Sequence, residues 1–288
     1  MSDALPVILV GYLAAGACSL LGCFLVLRRM GMMGDAISHA VLPGIVVAFL
    51  LSGERAALPM LLGAGSVGFA AAVGIELLHR RGRIAQDASI GIVFTALFAL
   101  GVLLVARFAG QVDLDMDCVL HGEIAFAALD PLVAGGRELG PRAAWILGAA
   151  FLANLAFVLL FWKELKLSTF DPTLAAVAGV GAAAVHYALL GLTSLTAVAA
   201  FESVGAVLVV AMLIVPASAA YLMTERLGTM LLLAQAVSLA SAVAGYFLAV
   251  RWNVSIAGMM VVVSGAIFAV AFALNPRMRR PRAAAAPA

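Results

Sequence analysis

The amino-acid sequence predicts an all-α fold, a polytopic bundle of eight to nine helices that span a membrane. Hydrophobic residues make up 65% of the 288 positions, charged residues make up 11%, and the mean hydropathy is +1.15. Soluble domains are about 45–50% apolar and about 25% charged. So few charges cannot cover a water-facing surface, and most of this chain must therefore be solvated by lipid.

Nine apolar runs are candidates for membrane spans, because a helix needs about 20 apolar residues to cross a hydrocarbon core of about 30 Å. They cover approximately residues 6–27, 36–53, 58–79, 88–107, 143–163, 173–194, 198–222, 227–250 and 254–274. The second run is short and contains Asp35, His39 and Pro43, which predicts a broken or partly buried helix. We take residues 1–275 as one transmembrane domain and 276–288 as a disordered Arg/Ala/Pro-rich cytoplasmic tail.

Lysine and arginine predict the orientation, since cytoplasmic loops are enriched in both. With the tail in the cytoplasm and nine spans, 12 of the 17 basic residues fall on the cytoplasmic side and the N-terminus lies outside. The opening residues MSDALP have no basic segment before the first apolar run, so we expect that span to be kept rather than cleaved. The arginines form short clusters between spans, which provides no basic patch for nucleic acid.

Asp35 and His39 are the most informative polar residues, because they lie in an apolar stretch at a spacing that puts both on one helix face. Charged groups inside membranes are costly and are candidates for function. A carboxylate with an imidazole suits manganese, iron and zinc. Pro43 has no N–H to donate to the His39 carbonyl, which we interpret as a possible further ligand. The alternative is an Asp–His hydrogen bond that ties two helices together.

Two ligands do not make a closed metal site, since zinc takes about four and manganese about six. Other helices, or the same pair from a second copy across a two-fold axis, would have to complete it. Glu202, at the start of the seventh predicted span, is a further candidate for the ion path, with a carboxylate bonded at a helix break as the alternative. We interpret His186 as a packing histidine, and Glu76 with His79 as residues that face lipid headgroups.

The chain has no catalytic motif of its own that would supply energy. Its two lysines, Lys163 and Lys166, do not follow a glycine-rich phosphate loop, and no HExxH helix is present. The segment at 164–176 is predicted to be cytoplasmic, and Asp171 with Pro172 predicts a helix start there. Such a short helix could dock into a soluble partner, whereas the alternative is an ordinary interfacial turn.

Three runs resemble the permease subunits of the manganese/zinc/iron ABC importer family, the permeases paired with cluster A-I binding proteins. They are MGDAISHAVLPG at 33–44, FWKELKLSTFDPTLAAVAG at 161–179 and FESVGAVLVVAMLIVPASAAYL at 201–222. The resemblance implies a dimer of permeases, either two copies or a copy with a paralogue, in a bacterial inner membrane. It also implies cytoplasmic ABC ATPase subunits and an extracytoplasmic metal-binding protein as partners.

The resemblance also assigns roles to residues. It implies that Asp35 and His39 coordinate the transported ion, manganese in preference to zinc or iron, with no permanently bound cofactor. It maps the ATPase-coupling segment onto Ser168, Thr169, Phe170, Asp171 and Pro172. Glu202 has no uniform counterpart in the family. The functional alternative from another class is an ATP-independent, proton-coupled metal transporter.

Overall fold

The computed structural model of the protein describes residues 4–52, 57–108, 124, 131–134, 137–177 and 181–275. The first five helices in it are α1 (Ala4–Leu27), α2 (Met33–Ala40), α3 (Leu42–Ser52), α4 (Ala57–Gly82) and α5 (Gln86–Phe108). An antiparallel pair of strands follows, β1 (Pro131–Ala134) and β2 (Arg137–Pro141). The later helices are α6 (Arg142–Leu160), α7 (Trp162–Phe170), α8 (Pro172–Val177), α9 (Ala182–Val204), α10 (Ala206–Met223), α11 (Leu227–Trp252) and α12 (Ile256–Leu274).

The predicted helical membrane bundle is confirmed. Eight helices or helix pairs in the described residues are long and apolar enough to cross a membrane, and Leu208–Met223 adds a shorter apolar helix. The count of eight to nine spans is therefore correct. The β1–β2 hairpin lies in the loop that the orientation puts outside, and the sequence patterns did not predict it.

The boundary between the sixth and seventh predicted spans, at 195–197, is wrong. The short helix α8 ends at Val177, and α9 then runs without interruption from Ala182 to Val204. The break comes at Gly205, whose φ of 88° and ψ of 149° lie in a region that other residues rarely adopt. Hydropathy cannot detect this boundary, because it depends on the backbone conformation of one glycine.

The second span is broken, as predicted. The place where α2 packs along α4 indicates how deep α2 lies within the bundle. Helix α2 ends at Ala40 and α3 begins at Leu42, directly before Pro43. A Cβ on Gly68 would lie 3.0 Å from Ile37 and 3.4 Å from Val41, so α2 packs beside the middle of α4. Asp35 and His39, which flank Ile37, therefore lie near the middle of the bundle's membrane-spanning thickness.

Helix α1 forms the centre of the bundle and packs against α6, α10 and α11. Its residues from Ala14 to Leu25 are all buried. Polar side chains tie it to its neighbours: the Asn154 amide donates to the Ala17 carbonyl at 3.1 Å, and the Gln235 amide donates to the Gly16 carbonyl at 3.1 Å. Hydrogen bonds of this kind hold helices together where the hydrophobic effect cannot.

Gly22 permits the closest approach of α1 to α10, and its substitution is expected to destabilise the bundle. A Cβ there would overlap the carbonyl oxygen of Leu213 and lie 2.9 Å from its carbonyl carbon, and this backbone cannot rotate away. We expect Gly22→Ala to cost at least about 1–3 kcal/mol, as overpacked cores do. Thermal unfolding of the detergent-solubilised protein measures this loss.

Gly91→Ala is the control, because nothing lies within 4 Å of a Cβ at Gly91. Equal melting temperatures for the two variants would contradict the prediction.

Candidate functional site

Asp35 and His39 are the two residues of α2 that this chain does not bury. The other six, from Met33 to Ala40, pack inside the bundle. The side chains of His39 and Asp35 are 36% and 37% exposed, respectively, although both lie within a candidate membrane span, Met33–Ser52. This arrangement reverses the usual pattern of a membrane helix, because the polar groups form its uncovered face.

The distance between the two side chains suits a shared cation. The His39 Nε2 atom lies 3.6 Å from the Asp35 Oδ1 atom, longer than a good hydrogen bond. Two ligands about 2.1 Å from a tetrahedral zinc ion would be about 3.4 Å apart, close to this separation. In the described part of the chain, no cluster of three or more His, Cys, Asp or Glu could hold a metal ion. The pair alone therefore supplies two of the ligands that a metal ion would need.

Two aromatic rings of α5 position the His39 imidazole. The ring centroid of Phe94 lies 5.7 Å from that of His39, and the centroid of Phe98 lies 6.3 Å away in an edge-on arrangement. Ring packing of this kind limits the rotation of the imidazole and keeps water away from one side of it. The edge of the ring that carries Nε2 remains directed at Asp35.

Glu202 is not brought to this pair by any described contact. Its backbone lies in the last turn of α9 rather than at the start of a new span, because the helix continues to Val204. Its side chain lies outside the described part of the chain. The role of Glu202 as a metal ligand therefore stays a prediction.

The segment predicted for coupling forms two short helices joined at Asp171. Ser168, Thr169 and Phe170 form the end of α7, and Pro172 begins α8. The Asp171 Oδ1 atom accepts hydrogen bonds from the Thr173 hydroxyl at 2.6 Å and from the Leu174 N–H at 2.9 Å. These bonds lower the pKa of the Asp171 carboxyl, with the Thr173 bond contributing most. The predicted N-cap is confirmed.

The segment predicted for coupling also presents apolar side chains away from the bundle. Phe170 is 58% exposed and Leu174 is 52% exposed. Both lie between two candidate membrane spans rather than within them. We define Phe170 and Leu174 as the α7–α8 face.

Arg28, the residue after the end of α1, connects α7 to α9. Its Nη2 donates to the Ser168 Oγ atom at 2.9 Å and its Nε donates to the Thr169 Oγ1 atom at 3.1 Å. Its Nη1 lies 2.8 Å from the His186 Nδ1 atom. Burial lowers the pKa of the Arg28 guanidinium to about 10, Glu76 opposes that effect and Arg80 adds to it. The group therefore stays charged at neutral pH.

His186 and Glu76 complete this polar cluster. The interpretation of Glu76 from sequence was wrong, whereas His186 is buried and has a bonding partner, as a packing histidine should. Glu76 is buried, rather than facing headgroups, and pairs with Arg80 on the next turn. The His186 Nδ1 atom must accept from Arg28, because a guanidinium only donates. The proton is then on Nε2, which faces the Glu76 Oε1 atom at 3.4 Å. His186 is thus a buried, packed histidine that also bridges Arg28 and Glu76.

The cluster joins four segments that are far apart in sequence, namely the ends of α1 and α4, the start of α9 and the end of α7. The alternation of spans assigns all four to the cytoplasmic side. Sequence spacing could not have revealed the cluster, since its members come from four different helices. The available signal was that Glu76 and His186 are both ionisable residues in apolar runs.

Comparisons with known proteins find similarity along nearly the whole chain. The sequence matches the family described as the ABC 3 transport family over residues 3–275. It is 46% identical to the manganese transport system membrane protein MntD of Bacillus subtilis (strain 168), covering 94% of this chain and 91% of that protein. It is 42% identical to the zinc transport system membrane protein TroD of Treponema pallidum (strain Nichols), covering 95% and 74%.

The fold is similar to a solved structure described as PsaBC from Streptococcus pneumoniae in complex with Fab. The TM-score is 0.76 and the sequence identity is 33%, and the match covers 96% of this chain and 92% of that one.

Proposed function

This chain belongs to the ABC 3 transport family, and we propose that it is the membrane permease of a bacterial ABC importer whose substrate is manganese, with zinc as the second candidate. It is the multi-pass membrane component of such a system and not the ATPase. Membership of an ABC transport system implies ATPase and binding-protein partners. It also removes the support for the ATP-independent, proton-coupled alternative.

One observation carries the proposed substrate site: α2 buries every residue except Asp35 and His39. A carboxylate facing hydrocarbon costs about 2.5–3.5 kcal/mol on insertion scales, so this face is not expected to contact lipid. An ion path or a second subunit would account for it. A carboxylate and an imidazole separated by 3.6 Å are chemically suited to a divalent transition metal.

A second copy of the chain, or a paralogue with the same pair, would complete the ligand set. A two-fold axis beside α2 would bring two aspartates and two histidines together, which makes four ligands. Such a site has the coordination number of zinc and leaves open positions for water around manganese. Incomplete protein ligation also allows release, which transport requires.

The mechanism that follows is alternating access. A binding protein delivers the ion to the outer face, where Asp35 and His39 receive it. The ATPase contacts the α7–α8 face, so its conformational change on ATP binding and hydrolysis moves α7 and α8. That movement changes which side of the membrane the pair of ligands faces, and the ion leaves toward the cytoplasm.

Metal-dependent growth tests the substrate directly. A host strain lacking its own manganese and zinc importers would express the complete system, with manganese, zinc or iron supplied separately. We expect rescue at the lowest added concentration with manganese, because an oxygen-containing ligand set with open positions suits it. Rescue by zinc alone would replace manganese with zinc as the substrate. Rescue by none of the three metals, with the complex present in the membrane, would contradict the proposed function.

A further inference from the structure

We propose that Arg28 is a positioning residue that transmits movement of α7 to α2, and so links the ATPase to the metal ligands. This inference rests on the proposed function, since it assigns the route by which the coupling segment acts on Asp35 and His39. It concerns residues outside both the metal pair and the α7–α8 face.

The first step is the pair of hydrogen bonds that Arg28 donates to α7. Two of its nitrogens donate to neighbouring hydroxyls of the last turn of α7, Ser168 at 2.9 Å and Thr169 at 3.1 Å. A guanidinium presents its donors in a rigid planar fork, so two bonds to one turn fix both the distance and the angle of that turn. Helix α7 therefore cannot rotate or slide without displacing the Arg28 side chain or breaking these bonds.

The second step is the connection from Arg28 to α2, which is short and internally bonded. Arg29 has a left-handed φ of 60°, and the Met30 N–H donates to the Leu25 carbonyl at 2.8 Å. The Met33 N–H donates to the Met30 carbonyl at 3.0 Å, and both methionines are buried. Because this turn is stiff, displacement of Arg28 is expected to move the start of α2, two residues before Asp35.

The third step is the support on the opposite side of the guanidinium. Arg28 Nη1 contacts His186 of α9, and His186 contacts Glu76 of α4. An open cavity of about 480 Å³ lies beside these groups and is lined by Arg28, Glu76, His186, Ser168 and Thr169. The cavity provides space in which α7 can move relative to α4 and α9 while Arg28 keeps one set of partners.

A second metal site is the competing interpretation of the cluster, since Glu76 and His186 are possible ligands. The charges argue against it. Glu76 is paired with Arg80, and the charged Arg28 guanidinium donates to the Nδ1 atom of His186. A divalent cation entering here would be repelled by two guanidinium groups. The cluster is better suited to hold helices in a defined arrangement.

The test uses the assembled transporter, with its ATPase and binding protein, in proteoliposomes. Arg28→Gln is expected to assemble and to keep its basal ATP hydrolysis. We expect two quantities to fall about tenfold in this variant: the stimulation of ATP hydrolysis by manganese-loaded binding protein, and the manganese taken up per ATP hydrolysed. A tenfold fall corresponds to the loss of one charge-assisted hydrogen bond. Arg81→Gln is the matched control, because Arg81 is an exposed arginine at the same end of the bundle.

Three further variants separate coupling from a structural role. Arg28→Lys keeps the charge but not the fork, and so should lose most of the stimulation as well. Ser168→Ala with Thr169→Val removes the α7 side of the contact and should reproduce the fall. It should add little to Arg28→Gln, because residues that act through one contact are not additive. This double variant also carries the test if Arg28→Gln does not assemble.

Wild-type stimulation in Arg28→Gln, or in the Ser168/Thr169 double variant, would overturn the inference. A loss of thermal stability with unchanged uptake per ATP would overturn it too, because that is the result expected of a structural contact. Failure of the proposed function is distinguishable, since it would appear as absent metal uptake in the wild-type transporter. The stimulation of ATP hydrolysis reports on Arg28 without requiring metal flux.

Discussion

Replacing Asp35 or His39 with alanine is expected to abolish metal uptake while the complex still assembles. Each side chain supplies one of the few polar groups that could contact an ion in the middle of the span. Changes to groups that only support a metal ligand already cost about 10–100-fold in affinity or activity. We therefore expect uptake to fall more than about 100-fold. Radioactive manganese uptake into proteoliposomes measures it.

The controls for this prediction come from the same helix. Ser38→Ala removes a buried hydroxyl that donates to the Gly34 carbonyl within α2 at 2.8 Å, and it should leave uptake near the wild-type rate. Asp35→Asn and His39→Gln keep approximate shape and polarity but change the ligand chemistry. Wild-type uptake in Asp35→Asn would show that the carboxylate is not a ligand, and equal loss in Ser38→Ala would indicate a folding defect.

The fold was predictable to the extent that it depends on hydropathy. A run of apolar residues shows that a helix crosses the membrane, and Pro43 shows that the second span is interrupted, because proline cannot donate the next helical hydrogen bond. Asp171 likewise predicts the start of α8, since its carboxylate satisfies free N–H groups there. Each of these inferences depends on residues within one or two turns of each other.

The features that could not be predicted depend on contacts between distant segments. The division between α9 and α10 depends on the φ of Gly205, which composition does not encode. The exposure of Asp35 and His39 depends on which side of α2 the other helices cover. The bridge from Arg28 through His186 to Glu76 consists of two contacts, between residues 158 and 110 positions apart, well beyond any local pattern.

The two sites have different dependence on partners. The proposed metal site would need a second subunit to complete the ligands that Asp35 and His39 begin, whereas the contacts of the Arg28 cluster all lie within one chain. Helix α7 belongs to both functions, because its last turn bonds to Arg28 and its end presents Phe170 outward. A force applied at the α7–α8 face therefore has a direct route into the bundle, and removal of that face should separate ATP hydrolysis from transport altogether.

Truncation of the α7–α8 face is expected to prevent association with the ATPase. Phe170→Ala with Leu174→Ala removes the two large exposed apolar side chains of this segment, and truncated interface anchors cost about 2–4 kcal/mol. We expect loss of co-purification with the ATPase and uptake at background. The permease itself should keep its melting temperature, because both side chains are more than half exposed. Leu160→Ala is the matched control, since Leu160 is 77% exposed at the end of a membrane-spanning helix and lies outside the α7–α8 face. An intact complex in the double variant would show that the ATPase binds elsewhere. Movement of the ATPase would then not reach Arg28 through the α7–α8 face.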